Sequence, residues 1–140
     1  MTVTVSVGCD FSAGHRVLGL SGSAAKCGNL HGHTYRAVFS FVHGTMEFDA
    51  IKAILRVMVA ELFDHGFLVG RDDEFLSYLR EHKLKHYVIE GPPSTEAIAC
   101  ELARRAIHAL PLTQLVCVEL RAGSDNVATA WSTEGTWHAD

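Results

Sequence analysis

Apolar and polar residues alternate strictly over residues 3–11, with Val3, Val5, Val7, Cys9 and Phe11 on one side and Thr4, Ser6 and Asp10 on the other. That two-residue period predicts a strand with one buried face. Small, Gly-rich residues over 19–29 predict a long loop. β-Branched and aromatic residues return over 31–42, with Tyr35, Phe39 and Phe41 at one parity, and predict a second strand. From Asp49, the expected N-cap, the period changes: Ile51, Ile54, Leu55, Met58, Val59, Leu62 and Phe63 draw one helical stripe. Residues 64–71 lack a period and hold two Gly, which predicts a loop; 72–81 suit a short helix and 86–89 a small strand. After Gly91-Pro92-Pro93, Ser94 or Thr95 can cap a second long helix striped by Ile98, Ala99, Leu102, Ala103, Ala106, Ile107 and Leu110, which Pro111 closes. Strands over 115–120 and 127–131 flank the turn-forming Gly123-Ser124-Asp125-Asn126.

The order ββ, α, short elements, α, ββ predicts an α+β domain: an antiparallel sheet built from two hairpins, with the helices on one face. The other face and the sheet edges stay open in a monomer, so self-association through the sheet is expected. At 140 residues the chain, 1–140, reads as a single domain.

Composition narrows the class. With 48% apolar and 20% charged residues the chain can fill a core. Its most apolar run is broken by Lys52, Arg56 and Glu61, so no membrane span is expected. The first residues lack a basic segment followed by an apolar one, and a cytoplasmic location is expected. A net charge of -4, with its 12 Lys and Arg dispersed, argues against nucleic acid as a partner. Four Cys without a CxxC pair predict free thiols. Nine His are the unusual feature, and they raise the question of a metal or of proton transfer.

His31 and His33 stand two apart at the start of a strand, on one side of it and roughly 6.5 Å apart at Cα. His15 falls at the end of the first strand, where hairpin pairing can bring it alongside. Three nitrogens with an open fourth position is the pattern of catalytic zinc. Cys27 lies four residues before His31 and is either a fourth ligand or a reactive thiol whose thiolate Lys26 or a metal favours. Asp64 beside His65 pairs a carboxylate with an imidazole. Cys9, Cys100 and Cys117 lie in apolar periodic segments and read as packing.

The segments FSAGHRV (11–17), KCGNLHGHTY (26–35), FDHGFLV (63–69) and PSTEAIA (93–99) resemble the 6-pyruvoyl-tetrahydropterin synthase and 6-carboxy-tetrahydropterin synthase family. The resemblance spans nearly the whole chain. It implies the tunnelling fold, in which ββααββ subunits join their sheets into a barrel, typically a homo-hexamer of two stacked trimers. It also implies a zinc-dependent carbon–oxygen lyase acting on 7,8-dihydroneopterin triphosphate. His15, His31 and His33 would be the Zn2+ ligands, Cys27 the catalytic base, and His65 with Asp64 the second acid/base group. Ser94, Thr95 and Glu96 match residues that contact the pterin, and helix capping explains them equally. The short Cys-x-x-x-His spacing looks more like the carboxy branch, which leads to queuosine.

One departure stands out. The family's last hairpin carries a Glu that binds the pterin's guanidine-like edge, whereas VELRAGSDNVATAW aligns Leu120 or Gly123 there. Glu119 is near but at the opposite parity unless a bulge intervenes. Two other readings therefore stand beside the lyase: the same fold and zinc site serving a different small substrate, or a zinc-bearing ligand-binding protein without turnover. Arg16, Lys26 and Arg36 are basic groups near the motifs, available for phosphate or for ion pairs.

Overall fold

The computed structural model describes residues 3–42, 46–111, 113–133 and 136–139, with Thr133 and 136–139 as backbone only. Its elements are strands β1 (Thr4–His15) and β2 (His31–Val42), helix α1 (Phe48–Leu62), strand β3 (Gly66–Gly70), helix α2 (Phe75–Glu81), strand β4 (His86–Ile89), helix α3 (Thr95–Ala109), and strands β5 (Gln114–Ala122), β6 (Asn126–Thr133) and β7 (Thr136–Ala139). The seven strands form one sheet in the order β4-β3-β1-β2-β5-β6-β7.

The alternation that begins at Val3 runs on through Ala13 to His15, and β1 pairs antiparallel with β2 along its whole length, from Thr4 opposite Val42 to His15 opposite His31. The 15 residues between them include a 3-10 helix, Gly22–Gly28, none of whose residues is buried. A bond from the Val17 N–H to the Cys27 carbonyl (2.7 Å) holds that helix against the strand end.

Helix α1 buries Ile51, Leu55, Met58 and Val59, the expected stripe. Its N-cap is Glu47, with extended backbone and no side-chain cap bond. Asp49 instead sits in the first turn, where its charge suits the positive end of the helix dipole. Helix α3 begins as expected, the Ser94 side chain accepting from the Ala97 N–H at 3.2 Å. Its Ala99, Ala103 and Ala106 are fully buried, and such small side chains let the helix backbone come close to its neighbours.

Residues 66–70 are a strand rather than the expected loop. β3 runs parallel to β1, with Ala13 opposite Gly66, and parallel to β4, with Phe67 opposite His86. A short strand covered on both faces has no polar side to alternate with, so its sequence GFLVG shows no period. Leu68 faces the main core, while Val69 packs with Leu76 and Leu79 of α2. The sheet is therefore mixed, with the expected antiparallel hairpins extended by two parallel strands. α1 and α3 share one face, and α2 covers the reverse face at the β3–β4 end.

The core gathers between the sheet and the long helices. Phe11 stacks on Tyr35 (centroids 5.0 Å apart), and Phe63 packs against Phe11 (5.8 Å) and Tyr87 (4.7 Å). β3 reaches β1 only at Ala13 and Gly14. Among the described residues, no strand therefore pairs with the outer edge of β1 from Thr4 to Phe11.

Because the α2 cluster lies on the face opposite the three His, Leu79→Ala should destabilise the fold by about 2–5 kcal/mol, the usual cost of such a cavity, while leaving metal affinity unchanged. Chemical denaturation and a metal titration on the same sample check both halves.

Candidate metal centre and active-site cavity

Directly opposed residues of an antiparallel pair point to one face. The register sets His15 opposite His31 and Ala13 opposite His33, so three imidazoles converge on the face that carries the core. Ring centroids are 4.5 Å apart for His15–His31, 5.0 Å for His15–His33 and 4.9 Å for His31–His33. One nitrogen from each lies within 4.8 Å of the others.

Hydrogen bonds set two of the tautomers. His15 Nδ1 lies 2.8 Å from the Pro93 carbonyl and His31 Nδ1 lies 2.7 Å from the Asn29 carbonyl. A carbonyl only accepts, so both Nδ1 atoms carry the proton and both Nε2 atoms present a lone pair. His15 Nε2 is buried without a hydrogen-bond partner among the described residues. Burial is the main force lowering the pKa of His15 and of His33; the neighbouring His31 adds to it in both, and the Pro93 carbonyl opposes it in His15. Three imidazoles whose nitrogens converge, one of them buried and unbonded, fit a bound cation such as Zn2+.

The triad opens into a cavity of about 710 Å3 that is also lined by Lys26, Cys27, Ser94, Thr95, Glu96, Ala122 and Asn126. Cys27 is half-buried on the 3-10 helix. Ser94 is both helix cap and cavity wall, so its two sequence readings coexist.

Asp64 and His65 do not line this cavity. In the turn between α1 and β3, Asp64 Oδ1 accepts the Ser12 N–H (2.9 Å) and its Oδ2 meets His65 Nδ1 (2.9 Å). His65 takes a left-handed backbone (φ 59°) and donates its own N–H to the Ser12 carbonyl at 2.7 Å. Its side chain is 81% exposed and lines a second hollow of about 620 Å3, which His31 and His33 also border. The Ser12 N–H, first, and His65 lower the Asp64 pKa.

Glu119 lies on the face opposite Leu120 and Ala122, where it bonds Arg121 Nε at 2.9 Å. A register shift does occur in β5, but at Val116, between the pairs Ser40–Cys117 and Phe41–Leu115, too early to turn Glu119 toward the cavity. Of the basic groups, Arg16 is held by both oxygens of Asp73 (2.9 and 2.5 Å), and Arg36 by Asp10 at 2.8 Å. Lys26 makes no ion pair among the described residues. Sequence reasoning missed two contributors. The Pro93 carbonyl carries no side-chain signal, whereas Asn126 was legible only as a turn residue although its parity relative to Ala128 and Ala130 places it on the core face.

Three comparisons bear on this geometry. The family model of 6-pyruvoyl tetrahydropterin synthase matches residues 4–133. The chain is similar to the 6-carboxy-5,6,7,8-tetrahydropterin synthases of Rickettsia felis, at 29% identity over 66% of this chain and 72% of that protein, and of Rickettsia conorii, at 27% over 75% and 80%. Its fold is similar to those of an uncharacterised protein from Wolinella succinogenes (TM-score 0.76, 18% identity, 95% of this chain and 99% of that one) and of the Caenorhabditis elegans 6-pyruvoyl tetrahydropterin synthase (0.69, 20%, 95% and 97%).

Replacing His33 by Ala should weaken Zn2+ or Co2+ binding by roughly 100-fold or more while the far-ultraviolet spectrum is kept. Co2+ absorption titrations of the two proteins check it, and unchanged affinity counts against the triad. Asp64 gives a second test. A carboxylate with a lowered pKa stabilises the fold above its ordinary value of 3.8, and that contribution is lost as pH falls through the lowered value. Asp64→Asn should therefore flatten the acid limb of the thermal-midpoint profile below pH 4, and an unchanged limb contradicts the bond to Ser12.

Proposed function

The chain belongs to the 6-pyruvoyl tetrahydropterin synthase family, and from that premise we propose that it is a zinc-dependent carbon–oxygen lyase acting on 7,8-dihydroneopterin triphosphate. One observation carries the proposal: the three His and the half-buried Cys27 line the same cavity as Ser94, Thr95 and Glu96. We assign His15, His31 and His33 as the metal ligands. Zinc held there would supply Lewis acidity toward the substrate's side-chain hydroxyls.

The chain's own groups divide the remaining work. The Pro93 and Asn29 carbonyls keep the His15 and His31 lone pairs turned inward. Cys27, acting as the base, accepts a proton from the substrate side chain, with Lys26 beside it in the cavity wall. Lys26 is also our candidate for the triphosphate contact, because Arg16 and Arg36 are already engaged by carboxylates. Glu96 is the carboxylate in the cavity wall, so it, rather than Glu119, is assigned the donor-rich edge of the pterin. The products are triphosphate with 6-pyruvoyl-tetrahydropterin or, with addition of water and loss of acetaldehyde, 6-carboxy-tetrahydropterin; the Rickettsia relatives favour the second. The placement of Glu119 supports one further reading, the same chemistry on a related ring that lacks the full guanidine-like edge.

Asp64 and His65 are assigned the second acid/base role in a homo-oligomer, a hexamer by family resemblance, with sites at subunit interfaces. What supports this is that His65 is exposed, held by Asp64 and outside the cavity of its own chain, while no strand among the described residues pairs with the outer edge of β1 from Thr4 to Phe11.

Cys27→Ala should lower triphosphate and acetaldehyde release from dihydroneopterin triphosphate by about 100-fold or more with zinc content unchanged. Retained turnover removes Cys27 as the base. Wild-type protein that releases neither product, zinc-loaded, contradicts the lyase. Co-assembling Cys27→Ala with His65→Ala chains should restore activity if the two groups meet between subunits. No restoration places both in one chain.

A further inference from the structure

The hairpin joining β5 and β6 closes one side of the cavity, and the register shows which of its side chains face inward. Phe11 pairs with Tyr35, Tyr35 with Ala122, and Ala122 with Asn126, so all four share one sheet face. It is the face of His15, His31 and His33. Along this face the hairpin offers Leu120, Ala122, Ala128 and Ala130, all buried and apolar, and Asn126, which is exposed and lines the cavity. Its carboxamide has no hydrogen-bond partner among the described residues. Of the hairpin's carboxylates, Glu119 points the other way and is engaged by Arg121, and Asp125, exposed in the turn, does not line the cavity.

We infer that Asn126 is a specificity-determining residue that reads the substrate's ring edge through its side-chain amide. The inference rests on the reading of the cavity as a pterin site. A carboxylate in this wall accepts only and suits two neighbouring donors. A carboxamide presents one acceptor oxygen and two donor N–H groups, so it suits an edge in which a donor stands beside an acceptor. A lactam, with ring N–H next to carbonyl oxygen, is such an edge. Glu96, acceptor-only and on the α3 side of the cavity, takes donors. The two side chains therefore select a planar heterocycle that carries an amino or amidine edge and an adjoining lactam. They disfavour a ring whose edge offers only donors or only acceptors to the carboxamide.

Calorimetry of the zinc-loaded protein with sepiapterin tests this, using Asn126→Ala and Asn126→Asp beside wild type. Asn126→Ala should weaken binding roughly three- to tenfold, the loss of one hydrogen-bonding group. Asn126→Asp should weaken it further, because a second set of lone pairs then faces the carbonyl. Zinc content and thermal midpoint should stay at wild-type values in both, which separates lost recognition from a disturbed turn. Binding within twofold of wild type in Asn126→Ala, or tighter binding in Asn126→Asp, overturns the inference while leaving the pterin reading intact. Wild-type protein that binds no sepiapterin overturns the pterin reading and this inference with it.

Discussion

Everything in the site depends on the register between β1 and β2. Side chains alternate across a sheet with a period of two, so a slip of one residue would move a strand's whole set to the other face. In the observed register His15 stands opposite His31, and Val7, Cys9, Phe11 and Ala13 all lie in the core. The apolar residues of the strand specify the pairing, and the His inherit their position from it. The candidate metal site is thus the end of the core: going along β1 from Phe11 to His15, apolar packing gives way to the cluster of imidazoles without a change of face.

A single hydrogen bond connects that end of the sheet to the helix that walls the cavity. The Pro93 carbonyl receives the His15 Nδ1 proton, and the next residue, Ser94, caps α3. The chain segment that orients the His15 imidazole therefore also sets where Thr95 and Glu96 begin the helix. Arg16, the neighbour of His15, clamps Asp73 in the segment before α2 and ties the same strand end to the region beyond β3. These contacts let the cavity wall and the imidazoles hold one geometry although they come from distant parts of the chain.

The sequence disclosed these parts unequally. The 31–42 strand was legible to the residue, because β-branched and aromatic residues alternate through it, and the HxH pair could be placed on one face by counting. The helical stripes were equally plain except at Ile107, which the α3 stripe included and the structure leaves exposed. β3 was hidden, since Leu68 and Val69 are buried on opposite faces and leave no polar side to mark a period. The cap of α1 was misplaced because Asp49 is the better capping residue by chemistry, while the chain turns into the helix earlier, at Glu47, with no side chain assisting. Pairings across space were out of reach: nothing near Arg16 announces Asp73, 57 positions away. Asn126 was available by parity, but the turn propensity of Gly123-Ser124-Asp125-Asn126 already accounts for an Asn there and masks its place on the core face.

The reverse face of the sheet explains why Glu119 cannot serve the cavity. There Asp10 stands opposite Arg36, and Arg36 stands directly opposite Arg121. Like charges in opposed positions repel, and such a pair persists when each has its own partner. Arg36 has Asp10 at 2.8 Å and Arg121 has Glu119 at 2.9 Å. Turning Glu119 to the core face would leave Arg121 unpaired beside Arg36 and bring a carboxylate into the layer formed by Leu120 and Ala122. The balance of charges on one face thus limits what the other can present. What the hairpin presents on the cavity side is the uncharged Asn126, and the carboxylate in the cavity lining comes from the α3 wall, as Glu96.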